Sequence, residues 1–207
     1  MNKTLKLLIT ADIFLFTGLG LIAPILAVYI NDSLVGGSLL AAGIASTLYM
    51  LTKAVLQVPI SKLVDKYDHR RMFVISGYVL IALVPFFYIV MNNIYQLFVI
   101  QIMYGVGAAV AFPAWWSLFS THVEKHHEGY DWSVYSSLVM VETALSASIG
   151  AGMAQYLGFK LTFLLVGIFP IISIIILIGL DKEVERIRKV KLAKHHQLRA
   201  SRNRRGI

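Results

Sequence analysis

Gln57-Val58-Pro59-Ile60-Ser61-Lys62-Leu63-Val64-Asp65-Lys66-Tyr67-Asp68-His69-Arg70-Arg71 separates one long apolar run from the next. Six of the ten positions from Lys62 to Arg71 are charged, in a chain that is 14% charged overall. An irregular segment with this charge density cannot lie in hydrocarbon, where each unpaired backbone and charged group costs several kcal/mol. The stretch therefore reads as a loop on a membrane surface, and the apolar runs beside it as spans.

Working outward, six runs approach or exceed the ~20 residues that cross a bilayer: 5–30, 38–60, 72–91, 95–120, 132–157 and 161–180. The chain is 57% hydrophobic, against about 45–50% for soluble domains. The fold class is all-α integral membrane protein, with residues 1–180 as a transmembrane domain and 181–207 as a basic tail. The connections at 31–37, 92–94 and 158–160 are short. Those at 61–71 and 121–131 lie on the other side with both termini. Of 19 Lys and Arg residues, Lys53 falls within a span and Lys160 on the sparse side; the rest share the side of the charged stretch. The positive-inside rule then puts both termini in the cytoplasm, here of a prokaryotic cytoplasmic membrane.

The tail holds ten basic and three acidic residues. It reads as a topology anchor, with Val184, Ile187, Val190 and Leu198 able to line a surface helix on anionic lipid. Its close, Arg204-Arg205-Gly206-Ile207, reads as a natural chain end, and no cleavable signal sequence precedes the first span. A basic tail beside a membrane already has a partner, so nucleic acid is not expected. The chain has no cysteine. It also has no metal-ligand spacing, nucleophile elbow or phosphate loop, so neither an enzyme nor a bound metal or cofactor is expected. His122, His126 and His127 read as a solvated loop.

Three ionisable residues fall well inside spans: Asp12, Lys53 and Glu142. At a helix centre such charges cost about 2.5–3.5 kcal/mol and usually face protein or water. Lys53 shares a helical face with Ser46, Tyr49 and Gln57; Glu142 shares one with Tyr135, Ser146 and Gly150. Ser146, Gly150 and Ala154 form a small-residue stripe suited to close helix contact. Gln101, Tyr104, Phe112 and Trp115 mark a polar-aromatic face, with Trp115 and Trp116 read as either interfacial anchors or cavity residues. The six spans also read as two sets of three. Gly18-Leu19-Gly20 with Pro24 in the first is matched by Gly105-Val106-Gly107 with Pro113 in the fourth, and Lys53 in the second by Glu142 in the fifth.

The segment Ser61-Lys62-Leu63-Val64-Asp65-Lys66-Tyr67-Asp68-His69-Arg70-Arg71 resembles the loop motif of the major facilitator superfamily, roughly Gly-x-Leu-x-Asp-Arg-x-Gly-Arg-Arg. Ser61 and Asp68 stand where that motif has glycine, and Lys66 where it has arginine. The first span, from Asp12 to Leu26, resembles the opening helix of the drug/proton antiporters in that superfamily. The fourth resembles their fourth-helix motif, with Gln101 at its arginine position. The resemblance implies half of a major facilitator fold, built as a 3+3 inverted repeat and acting as a parallel homodimer by alternating access, with proton-coupled export of a small molecule. It implies that helices one and four line a cavity, two and five join the halves, and three and six face lipid. The substrate and ion pathway would then include Asp12, Lys53, Gln57, Gln101, Tyr104 and Glu142. Asp65, Lys66, Arg70 and Arg71 would form a cytoplasmic gate, with Asp65 latching to the start of the other half's fifth helix. Lys53, Glu142, Ser146 and Gly150 would lie at the dimer interface, with Lys53 paired to Glu142 of the other chain, each about 15 Å from the cytoplasmic face. The alternatives are a half that pairs with a different six-helix chain and a membrane scaffold that does not transport.

Overall fold

The computed structural model describes residues 3–67 and 69–179 of the chain. The basic tail, with its proposed lipid contact, and Asp68 lie outside the described residues. Six helices follow one another: α1 (Lys3–Ser33), α2 (Leu39–Lys66), α3 (Arg70–Val90), α4 (Ile94–His122), α5 (Glu128–Leu157) and α6 (Phe159–Val166). The sixth continues beyond a turn at Gly167, so that the whole span is Phe159–Gly179. All six are long and apolar enough to cross a membrane, as their apolar runs led us to expect.

The helix ends correct the sequence reading. The charged stretch is not a loop along its length: α2 runs through Lys66 and α3 starts at Arg70, leaving Tyr67 and His69 as the described residues between them. Likewise the segment expected at 121–131 contracts to 123–127, because α4 ends at His122 and α5 begins at Glu128. Hydropathy measures how much chain lies in hydrocarbon. The i to i−4 ladder has no reason to stop there, and α2 at ~1.5 Å per residue outruns a ~30 Å core. At the opposite end the starts of α2 and α4 are set by side chains. Ser38 Oγ accepts from Ala41 N at 3.0 Å, and Asn93 Oδ1 from Gln96 N at 3.0 Å, each satisfying an orphan donor of a first turn. The two turns at this far end are tied together where Val35 N donates to Asn92 O at 2.9 Å.

Packing divides the helices into two groups. α2 and α3 pack on α4, α5 packs on α1, and α6 lies against α3, α5 and α1. Close approach is bought with small residues. A Cβ on Gly77 of α3 would stand 2.6 Å from Gly107 O of α4, and one on Gly150 of α5 would run into the Leu21 backbone of α1. Two apolar cores result. One, toward the charged stretch (the motif end), gathers Leu8, Leu15, Tyr78, Trp115 and Phe119. The other, toward the far end, gathers Ile25, Tyr29, Val84, Leu97 and Phe163. Burial is uneven: only 11% of the apolar window of α2 and 17% of that of α5 is covered, against 56% for α4. α2 and α5 therefore carry the largest uncovered faces.

Candidate functional site

Between the two groups of helices opens a cleft of ≈ 360 Å³, walled by α1 through α5. Its polar lining is Ser46, Tyr49, Tyr88, Gln101, Tyr104 and Thr143; much of the rest is apolar surface of α1, including Phe16 and Gly20. Gln101, 5% exposed, donates from Nε2 to the Tyr88 hydroxyl at 2.9 Å. The rings of Tyr49 and Tyr104 stack at 4.2 Å across α2 and α4. Gln101 and Tyr104, expected on a pathway, thus stand in one wall. Among the described residues, the polar lining is hydroxyl and amide, with no ionisable acid or base apart from the phenols.

Asp12 is not part of this wall. It is 1% exposed and sits one layer toward the motif end. Its Oδ1 accepts from the Tyr78 hydroxyl at 2.5 Å and its Oδ2 from the Tyr135 hydroxyl at 2.6 Å. One carboxylate therefore joins α1, α3 and α5. An aromatic shell encloses it: Trp115 lies 4.7 Å and Phe119 5.3 Å from the Tyr135 ring, centroid to centroid. Trp115 is neither an interfacial anchor nor a cleft residue; it is 1% exposed within this shell, whereas Trp116 is 44% exposed.

Lys53 and Glu142 are separated by the cleft. The Lys53 ammonium stands over the Phe112 ring, 4.5 Å from its centroid. Phe112 in turn stacks on Phe16 at 6.0 Å, and Phe16 lines the cleft. Gln57 lies one turn beyond Lys53 on α2, half-buried and outside the cleft. Glu142 is 9% exposed and accepts from Ser146 Oγ at 2.7 Å and Thr143 Oγ1 at 3.3 Å. It packs beside Gly20 of α1 together with Ser146. The expectation that Glu142, Ser146 and Gly150 face another chain is therefore corrected. Their small-residue stripe is spent inside the chain, where it lets α5 approach α1. Within its own chain the Glu142 carboxylate points inward and is already hydrogen-bonded, so the expected pair with Lys53 of another chain would have to displace those bonds. A spacing rule names the face of a helix but not the neighbour that will cover it.

At the motif end, Asp65 and Lys66 are exposed on the last turn of α2, and Arg70 and Arg71 are half-buried on the first turn of α3. Across the same end, Asp131 is fully buried in the first turn of α5, and its Oδ2 accepts from Glu124 N at 3.3 Å. Sequence reasoning missed Tyr78 and Tyr88 altogether. The signal was present: each is a tyrosine inside an apolar run, and a buried phenol needs a hydrogen-bond partner.

The model of the Major Facilitator Superfamily matches residues 8–205. The chain is 24% identical over 159 residues to an uncharacterized MFS-type transporter of Methanocaldococcus jannaschii, covering 77% of this chain and 40% of that protein. It is also 24% identical over 180 residues to the Quinolone resistance protein NorA of Staphylococcus aureus, covering 87% of this chain and 45% of that protein. The chain spans less than half the length of the curated relatives it matches. With six membrane-length helices, a polar-lined cleft among the first five and a family match over nearly its whole length, the chain belongs to the major facilitator superfamily of transporters.

Proposed function

We propose that this chain supplies one half of an alternating-access transporter and that a second copy supplies the other, giving a parallel homodimer that exports a small molecule. The observation that carries this reading is the burial pattern. α2 and α5 keep most of their apolar surface uncovered on the two sides of an open cleft, where a second set of six helices would close it. Opposed pairing of α2 with α5 about a twofold axis along the membrane normal makes the two halves equivalent. A 3+3 repeat within the chain is supported by a constant offset. Asp12 and Gln101, Gly18 and Gly107, Pro24 and Pro113, and Lys53 and Glu142 are each 89 positions apart. Gly18 packs on Pro170 in the sixth span, and Gly107 on Leu80 of α3. Each faces the third helix of the other set. The likeness to a quinolone resistance protein supports export as the direction of transport, with the termini cytoplasmic.

The test is the detergent-corrected mass of the purified chain together with solute flux in liposomes that hold it alone. Two chains per particle with flux is the expected result. A monomer without flux, or flux that needs another six-helix chain, overturns the homodimer.

In this reading Asp65 is a cytoplasmic latch. It is exposed on α2, and its target is the start of α5 in the other chain, now placed at Glu128 rather than near Trp132. The helix N-terminus carries about +0.5 of a charge. Two carboxylates lie in that first turn: Asp131 is turned inward and held by its own chain, while Glu128 is exposed and is a like charge the latch has to overcome. Asp65→Asn should release about 1 kcal/mol of outward-facing preference, a roughly fivefold population shift. Labelling, from the cytoplasmic side, of a cysteine introduced at Ser46 in the cleft should rise accordingly; unchanged labelling rejects the latch. Asp12 is the proposed proton carrier, since it is the carboxylate that ties three helices together at one point.

A further inference from the structure

The three charges inside the helices are not met equally well. Asp12 has two phenol donors, and Glu142 has two hydroxyl donors. Among the described residues, the Lys53 ammonium has the face of Phe112. A ring face attracts a cation but offers no lone pair to an N–H. Three N–H donors on a half-buried side chain in the middle of a membrane helix are thus left for something else to satisfy.

Their position says what that is. Ser46, Tyr49 and Met50 line the cleft from successive turns of α2, and Lys53 is the next residue on that face toward the motif end. The ring it covers, Phe112, stacks on Phe16, which is itself cleft lining. The ammonium therefore stands at the foot of the cleft. Behind the opposite wall, one turn of α1 closer to the far end, Glu142 lies beside Gly20 with its oxygens taken. With the carboxylate behind one wall and the ammonium at the foot, the foot is the place for a guest's anionic end. Along the path between lie the stacked Tyr49 and Tyr104 rings, which present flat apolar surface and phenol donors.

We propose that the cleft takes an organic anion, an apolar aromatic body carrying one carboxylate- or sulfonate-type group, with the anionic group docked on Lys53. This names a substrate class for the transport reading above and rests on it. Charge-assisted bonds to the anion supply the acceptors that the Phe112 face lacks, and the ring remains beneath the ammonium as its floor.

The probe is a matched pair of permanently charged solutes, 1-naphthalenesulfonate and 1-naphthyltrimethylammonium, in counterflow with liposomes holding the full chain. The sulfonate should move and the ammonium should not. Lys53→Gln should cut sulfonate flux by about tenfold or more, the loss expected when one partner of a desolvated charge pair is removed. Lys53→Arg should keep most of it, because it keeps the charge. Transport of the ammonium in preference to the sulfonate, or undiminished sulfonate flux in Lys53→Gln, overturns the anion assignment and leaves the transport reading standing. Movement of neither solute overturns both. The wild-type charge preference decides the matter even if Lys53→Gln fails to fold.

Discussion

Gly150→Val should abolish the packing of α5 on α1. The Cβ it introduces falls on the Leu21 backbone, and a backbone cannot step aside by changing rotamer. The whole of α5 has to move away, taking Ser146 from Gly20 and Tyr135 from Asp12. Overpacking of a tight core costs about 1–3 kcal/mol when side chains can yield, and more when they cannot. At this chain length about 3 kcal/mol corresponds to a fall of roughly 10 °C in apparent melting temperature. Gly152→Val is the control: a Cβ there has nothing within 4 Å, and both substitutions remove a glycine from the same helix. Thermal unfolding in detergent should show a large loss for position 150 and little change at 152. Equal effects at the two positions would mean that helix propensity, and not the α1–α5 contact, sets the loss.

The second large effect is at Asp12, where stability and function separate. Asp12→Ala strands the Tyr78 and Tyr135 hydroxyls in a site closed to water. Each unsatisfied donor costs about 1–3 kcal/mol, so roughly 2–6 kcal/mol is at stake. Asp12→Asn keeps an acceptor oxygen for one phenol and offers its amide N–H to the other, so the protein should remain folded. It cannot carry a proton. Flux driven by a pH gradient should therefore be lost in Asp12→Asn while gradient-independent counterflow of the same solute continues. Gradient-driven flux at the wild-type level would rule out Asp12 as the coupling group and leave it a structural tie. Tyr135→Phe removes one donor and leaves the carboxylate, so it should weaken the fold less than Asp12→Ala does.

The sequence by itself determined the spans, the class and the family. Length of apolar run is a direct measure of hydrocarbon thickness, and charge at the run ends is a direct measure of where water begins; both are local properties of the chain. The charged residues around Asp65 and the paired features of the first and fourth spans sufficed for the family, because they too lie close together or repeat at a fixed interval. Gln101 and Tyr104 were legible as wall residues for the same reason, being adjacent polar turns on an otherwise apolar helix. What only the tertiary structure decided was the neighbour of each face. Tyr78 and Tyr135 reach Asp12 from 66 and 123 positions away, and no local pattern specifies contacts at that separation. The Ser146 and Gly150 stripe announced a close helix contact correctly, yet a small residue accepts any backbone, and it was α1 of the same chain that filled it. Trp115 and Trp116 are neighbours in sequence and differ only by the 100° turn of the helix between them. That rotation buries one in the shell around Asp12 and leaves the other outside, a distinction set by how α4 is rotated against α3 and α5.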